Sequence, residues 1–386
     1  MSVEIRTGLD EITCYFHELE DPRSEVNRLH PLDGVIVIAI MGILAGAKGP
    51  TGIATWANLN EAFLKSNLNL PNGVPQKDVF RRVLATLKPG AFQVCFANWL
   101  TALKTKAAAA SDVDQPIYAV DGKTLRRSHD KSKGLGALHS VSVWASDFGL
   151  SLGQVATDQK SNEITAIPEL LKLVDISGAT ITIDAMGTQT AIAEEIIAGE
   201  ADYVLALKGN QESLFNAVTE HFSEALENDS VDPGLCQHTT NEKGHGRKET
   251  RHYFQMPAPK TLPGFGRWKG LLTIGMVIST VVRNGKETGA IRYYISSLDM
   301  GIKRFAHAVR AHWGIENTCH WTLDVTYRED DSRIRNEHLR ENIAWLNRFT
   351  LSLLKQYDDK QSVAMRRQTC GWNPEYLLAT LVGSKA

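Results

Sequence analysis

This sequence predicts a mixed α/β domain that follows a helical one. Two observations carry that reading. Apolar residues recur at helical spacing through roughly the first 105 positions, and from Pro116 onward they gather into short, strand-length runs. A third observation, the order of those runs, separates the fold from a fully parallel nucleotide-binding sheet.

In the helical part, DEITCYFHELEDPR comes first, before a helix start punctuated by His30 and Pro31. Residues 32–47, LDGVIVIAIMGILAGA, are apolar over about 16 positions, fewer than the ~20 a spanning helix needs. Asp33 stands at their start and a charge-rich stretch precedes them. They therefore read as a buried helix rather than a signal peptide or a membrane anchor. ATWANLNEAFLKSNL, a loop (LPNGVP) and KDVFRRVLATL follow, and in the last of these Val79, Val83, Leu84 and Leu87 form a helical stripe. AFQVCFANWLTALKTKAAAA is a further helix, and its alanine end with SDVDQP makes a linker near residues 108–116.

Beyond the linker, IYAVDG reads as a strand. ALHSVSVWAS and LSLGQVAT read as a hairpin around Asp147, Phe148 and Gly149. AIPELLKLVD is a helix, TITIDAM a strand, TAIAEEIIAGE a helix and DYVLALK a strand. Three adjacent antiparallel strands, then helix, strand, helix, strand, is the order of a ribonuclease H-like mixed sheet. A dinucleotide-binding sheet would alternate from the start, and no GxGxxG follows the first strand. Residues 211–300 interrupt this with a helix (SLFNAVTEHFSEALEN), a charged loop (NEKGHGRKETR) and the strand-like runs HYFQM, GLLTIGMVISTVV and AIRYYISSL. FAHAVRAHWGIEN resumes helix and ENIAWLNRFTLSLLKQ is an amphipathic helix. The expected division is a helical domain at 1–110, an α/β domain at 116–210 and 301–356, a β-rich insertion at 211–300, and a C-terminal tail at 357–386.

The composition is that of an ordinary globular protein, with 43% hydrophobic and 22% charged residues and a formal net charge of −2. That balance argues against a non-specific nucleic-acid coat protein, but it leaves room for an enzyme with a local basic groove. Cys14, Cys95, Cys236, Cys319 and Cys370 are scattered without a CxxC pair, so neither a disulfide framework nor a zinc ribbon is expected, and the natural compartment is a reducing cytoplasm.

The chemistry is carried by three carboxylates in different settings. Asp121 ends the apolar run IYAVDG, Asp184 ends TITIDAM, and Glu316 lies in the helical HWGIEN. A single aspartate of this kind is most simply a turn cap. Two that each end a buried strand are costly unless a metal or hydrogen bonds compensate them. With a glutamate from a later helix they make the donor set of a two-metal phosphoryl-transfer site, in which Mg²⁺ ions are bound by carboxylate oxygens and Mn²⁺ can substitute. His312, Glu316 and His320 share one helical face, which also permits a zinc reading, although HExxH is absent and Cys319 is out of phase.

Basic residues gather near these acids. Lys123, Arg126, Arg127, His129, Lys131 and Lys133 follow Asp121; Lys243, His245, Arg247, Lys248 and Arg251 lie in the insertion; Arg328, Arg333, Arg335 and Arg340 follow Glu316. Each cluster alone reads as a solvated surface. Together, with Lys208 and His312, they fit an electrostatic track for a nucleic-acid backbone. Trp313 and Trp321 bracket Glu316, and each is either a core residue or a platform for a displaced base.

AVDGKTLRRS, DQKSNEITAIPELL, TIDAMGTQ, ADYVLALKGNQ, GHGRKETR, RYYISSL and HWGIEN followed by HWTLDVTYREDDSRIR together resemble bacterial insertion-sequence DDE transposases, in the H-repeat-associated branch. The resemblance covers essentially the whole chain, including the N-terminal EDPRSE and GVPQKDVFRRVL. It implies a ribonuclease H-like catalytic domain with a β-rich insertion and a catalytic, metal-binding triad of Asp121, Asp184 and Glu316. It further implies Mg²⁺-dependent cleavage of DNA at element ends and strand transfer to target DNA. Double-stranded DNA is the expected partner, with the chain acting as a homo-oligomer on it and with no membrane involved. A decayed element protein that binds DNA without catalysis, or a nuclease without strand transfer, would share these features. Where many such transposases carry a tyrosine, an arginine and a lysine around the glutamate, this sequence has Val309, His312 and Leu323.

Overall fold

The computed structural model describes residues 3–130, 132, 134–157, 163–227, 234–244 and 246–383. Lys131, Lys133, His245 and part of DQKSNEITAIPELL lie outside the described residues.

Six helices open the chain: α1 (Val3–Cys14), α2 (Leu32–Leu44), α3 (Pro50–Leu59), α4 (Glu61–Asn67), α5 (Lys77–Thr86) and α6 (Pro89–Ala109). α2 is apolar on every side because it is surrounded: each of its residues except Asp33 is buried. Among the described residues no helix is long and apolar enough to cross a membrane. Of the α5 stripe, Val83, Leu84 and Leu87 are buried and Val79 is partly buried, with Phe80 added to the buried face.

The sheet begins with β1 (Ile117–Leu125), β2 (Leu138–Ala145) and β3 (Leu150–Thr157), joined antiparallel. Gly149 takes the positive φ of 66° that the β2–β3 turn requires. After α7 (Glu163–Leu173), β4 (Thr180–Ile183) pairs parallel to β1. After α8 (Thr190–Ala198), β5 (Asp202–Leu207) pairs parallel to β4. This is the ribonuclease H-like order expected from the sequence.

The segment after β5 forms α9 (Glu212–Glu227), β6 (Cys236–Gly244), β7 (Arg247–Pro257), β8 (Thr273–Arg283) and β9 (Lys286–Ser296). These strands do not make a sheet of their own. β9 pairs antiparallel with β5, so among the described residues one nine-stranded sheet runs in the order β3-β2-β1-β4-β5-β9-β8-β7-β6. The charged loop expected at NEKGHGRKETR is instead a tight turn between β6 and β7. β6 is invisible in the sequence because it is a largely exposed edge strand without an apolar face.

α10 (Ile302–Gly314), a π-helical turn (Ile315–His320) and α11 (Trp321–Val325) form one continuous helical segment lying against the sheet. α12 (Glu337–Gln356) then runs through the core, buried along almost its whole length. The expected tail is two packed helices, α13 (Val363–Trp372) and α14 (Pro374–Val382). Their apolar residues, Leu377, Leu378 and Leu381 among them, join the central core.

α12 welds the N-terminal helices to the α/β part. The Phe349 ring centroid lies 4.5 Å from that of Phe96 and 4.7 Å from that of Trp99. Asn342 Nδ2 donates to the carbonyls of Leu84 (2.9 Å) and Leu87 (3.0 Å) at the end of α5. Arg367 of α13 donates to the Ile43 carbonyl at the end of α2 and stacks 4.0 Å over Tyr327. The helical third and the α/β part therefore share one core.

Within that core Arg348 and Glu329 form an ion pair at 3.4 Å with both side chains fully buried. Asn347 also donates to Glu329, and Arg348 to Ser140 on β2. Removing one partner leaves a buried charge uncompensated, which typically costs about 3–5 kcal/mol. Arg348→Met should therefore lower the unfolding free energy measured in urea by an amount in that range, whereas Arg348→Met combined with Glu329→Leu should recover much of it. Equal losses in the single and double variants would refute this account.

Candidate active site

The site is set by the register of two parallel strands. Val120 of β1 pairs with Ile183 of β4, and the next residue on each is an aspartate. Asp121 and Asp184 therefore emerge side by side. β1 does not end at Asp121, as its apolar run suggests; it continues to Leu125, paired with β2, and only the parallel pairing with β4 stops there. β4 does end, and the chain turns: Asp184 Oδ1 accepts the N–H of Met186 (3.0 Å) and of Gly187 (3.2 Å).

Glu316 comes from the π-helical turn, an uncommon geometry that tends to occur at functional sites. It lines one cavity of about 180 Å³ with Asp121, Asp184, Lys208, Arg292 and His312. The helical segment is fixed over the sheet by a row of polar contacts. Arg304 reaches Asp202 (3.2 Å), His307 reaches Asp147 (2.8 Å), Ser146 donates to the Ala311 carbonyl (2.8 Å), His312 Nδ1 meets Thr182 Oγ1 (3.0 Å), and His320 Nδ1 lies 3.5 Å from Asp121 Oδ2.

Burial pushes the Asp121 carboxyl up to about 7, and the charges of Glu316, Asp184 and Glu163 add to the shift; the Gly122 N–H bond opposes it. Glu163 belongs to a buried chain, Thr124–His139–Glu163, with two 2.7 Å links that pass beneath Gly122. A Cβ at Gly122 would collide with Glu163 and with the His139 ring, so only glycine fits beside Asp121. His320 is depressed to about 3 by burial and by the charges of Arg348, Lys123 and His139, so it faces Asp121 as a neutral ring. Burial also lowers His312, against the pull of Asp184.

Among the described residues no lysine or arginine pairs with Asp121, Asp184 or Glu316. Three carboxylates facing one cavity, one of them destabilised as an anion, form an oxygen donor set suited to a hard divalent cation. They are not drawn into a closed cage: among the described residues no three His, Cys, Asp or Glu side chains converge on one point. Glu316 is exposed on its turn. Cys319 is buried, with its thiol pushed up to about 12, mainly by desolvation.

The basic residues divide. Lys208 lines the cavity. Lys123 does not offer itself to a backbone phosphate: it is buried, and its ammonium sits 2.5 Å from Asp324 and 3.4 Å from Asp330. Arg126 and Arg127 are exposed but reach Asp330 (3.3 Å) and Asp331 (3.4 Å). Arg247 and Lys248 are exposed at the β6–β7 turn, whereas Arg251 is largely covered and held by Glu242 (2.9 Å) and Glu249 (2.5 Å). Arg333 lines a different cavity, with Lys48 and Arg328, and the exposed Arg335 lines neither. Trp321 is 59% exposed, which removes the core reading for it. Arg292 on β9, in the RYYISSL run, is a cavity residue that sequence reasoning missed; its guanidinium lies 5.0 Å from the Trp313 ring centroid.

Comparison with known proteins adds independent information. A family model described as "Transposase DDE domain" matches residues 112–354, and one described as "DDE_Tnp_1-associated" matches residues 13–100. The "H repeat-associated putative transposase YhhI" of Escherichia coli K12 is 38% identical over 363 residues, covering 92% of this chain and 93% of that protein. YncI of Escherichia coli O157:H7 is 39% identical over 377 residues, covering 96% and 94%. Among solved structures, a piggyBac transposase synaptic complex with hairpin DNA aligns at 14% identity over 99% of this chain and 78% of that one. Its TM-score is 0.39, a likeness too distant to add to the fold.

The Asp121 shift has a defined sign. The carboxyl titrates near 3.8 when free and at about 7 in the fold, so the folded chain holds this proton more tightly than the unfolded chain does. The associated stability is fully present below about pH 4 and is lost as pH rises through 7. With a chelator present, Asp121→Asn should melt above the parent at about pH 8, and the gap should close towards about pH 4. A gap independent of pH would contradict the assignment.

Proposed function

The chain belongs to the DDE transposase family, and from that premise we propose that it cuts DNA at the ends of an insertion sequence and joins the freed ends to target DNA. The observation that carries this reading is the Val120–Ile183 register. It aligns Asp121 with Asp184 beside the cavity that Glu316 also faces.

Asp121, Asp184 and Glu316 are the residues that would hold two Mg²⁺ ions, with Mn²⁺ as a substitute. Such ions supply charge stabilisation to the attacking and leaving oxygens of a phosphodiester. Asp121 projects from a strand paired on both sides up to Val120, and it is held by the neutral His320 and the Gly122 N–H. Asp184 spends one oxygen on two backbone N–H groups, which fixes its orientation and leaves the other oxygen for a cation. Lys208 and Arg292 bring positive charge to the same cavity, where a scissile phosphate needs it. Positioning and charge dominate phosphoryl transfer, so no general base is required of the protein.

A second contact with the DNA backbone lies at the far end of the sheet. The β6–β7 and β8–β9 turns stand side by side, with Arg247 opposite Arg283, Arg283 opposite Lys286, and Lys243 opposite Lys248. Like charges directly opposed on adjacent strands destabilise a sheet. A polyanion laid across the turns would relieve that repulsion.

Asp121→Ala, Asp184→Ala and Glu316→Ala should each abolish cleavage of an element end in Mg²⁺ or Mn²⁺ while retaining end binding. Normal cleavage by Glu316→Ala would shift the third role to Asp324, Asp330 or Asp331. Binding without cleavage by the parent chain would mark a decayed protein, and cleavage without joining of a pre-cut end would mark a nuclease.

Arg247→Gln with Lys248→Gln should weaken binding evenly across DNA sequences and reduce the salt slope by roughly two units, at about 0.9 per phosphate contact. An unchanged slope would make the turn an ordinary solvated one. Arg251→Gln should act on stability instead, because its partners are Glu242 and Glu249.

A further inference from the structure

Lys123 shares a strand face with Asp121, two residues away, and it is the buried cation nearest to the candidate ligands in sequence. Its ammonium contacts Asp324 at 2.5 Å and Asp330 at 3.4 Å. Asp324 lies on α11, which continues without a break from the π-helical turn that bears Glu316. Asp330 lies in the short turn that follows α11, where Arg126 also reaches it. A further link between β1 and this helical segment, His320 to Asp121, is longer, at 3.5 Å. Among the described residues the shortest ion pair between the Asp121 strand and the Glu316 helix is that of Lys123 with Asp324.

We propose that Lys123 is a positioning residue that clamps the Glu316-bearing helical segment onto the Asp121-bearing strand and so sets the spacing of those two carboxylates for a divalent cation. This rests on the preceding reading that the three carboxylates hold the cation. A π-helical turn leaves the helix a residue out of phase with an α-helical continuation. The rotation of Glu316 about the helix axis therefore depends on what fixes the helix beyond it as well as before it, and Lys123 fixes it beyond, at Asp324.

The test is Mn²⁺ binding to the full chain without DNA, by calorimetry, together with the salt dependence of DNA binding. Lys123→Met should weaken Mn²⁺ binding by about tenfold or more, the usual scale for a residue that orients a ligand, and should leave the DNA salt slope unchanged. Lys123→Asp combined with Asp324→Lys should recover part of the loss, because the pair is restored with its charges exchanged. If Lys123→Met folds poorly, Asp324→Asn breaks the same tie from a more exposed position and should weaken Mn²⁺ binding in the same direction.

A salt slope lowered by about one unit with Mn²⁺ affinity intact would make Lys123 a phosphate contact and overturn the proposal. So would a fall in melting temperature with Mn²⁺ affinity intact, which is what a merely structural ion pair would give. Asp184→Ala separates the two levels. If it binds Mn²⁺ as the parent does, the carboxylate reading fails and this inference fails with it. If it loses Mn²⁺ while Lys123→Met retains it, only the role of Lys123 fails.

Discussion

The parallel pairing of β1 with β4 is the constraint on which the site depends. Hydrogen bonding along Ile117–Val120 and Thr180–Ile183 fixes the two strands in one register, and a slip of one residue would turn Asp121 or Asp184 to the opposite face of the sheet. The pair lies near the middle of the sheet, flanked by β2 and β5, so neither strand has a free edge along which to slide. Two carboxylates can be placed next to each other in an apolar setting only where the backbone leaves them no alternative.

That placement has an electrostatic cost, visible in the raised Asp121 carboxyl, and the surroundings keep the cost from being relieved in the wrong way. A lysine near Asp121 would neutralise it, and one does lie two residues along. Lys123 is drawn away by Asp324 and Asp330, and Arg126 and Arg127 are occupied by Asp330 and Asp331. The acidic run EDDSRIR thus absorbs the basic run GKTLRR, and among the described residues no lysine or arginine forms an ion pair with the three carboxylates. The neutral histidines His312 and His320 add contact without adding charge.

Much of this was legible in the sequence. The strand order, the buried α2 helix and the β2–β3 hairpin follow from apolar periodicity and turn residues, because those elements bury one face or all faces. The three acids stand out because charge at the end of an apolar run is expensive. What escaped notice is what depends on pairing between distant segments. β6 has no apolar pattern because it is an edge. α13 and α14 look like a tail because their partners, α1, α2 and α12, lie far away in the chain. Arg292 enters the cavity only because β9 docks on β5. Lys123 looks like a DNA contact until Asp324, 201 residues away, is seen to hold it. Domain boundaries drawn from composition likewise hide the core that the helical and α/β parts share, since nothing local announces that Phe96 meets Phe349.

The docking of β9 on β5 has a mechanical consequence. β9 is continuous from Lys286, at the basic turns, through Arg292, at the cavity, to Ser296, beside β5. At about 3.3 Å per residue its eleven residues span roughly 36 Å. Paired with β8 along its full length, it acts as a stiff beam with one end set in the core. From the outer turns the strand runs to Arg292, whose guanidinium lies over the Trp313 ring on the helix that leads to Glu316. The far tip and the cavity lined by Asp121, Asp184 and Glu316 are thus joined by one unbroken strand.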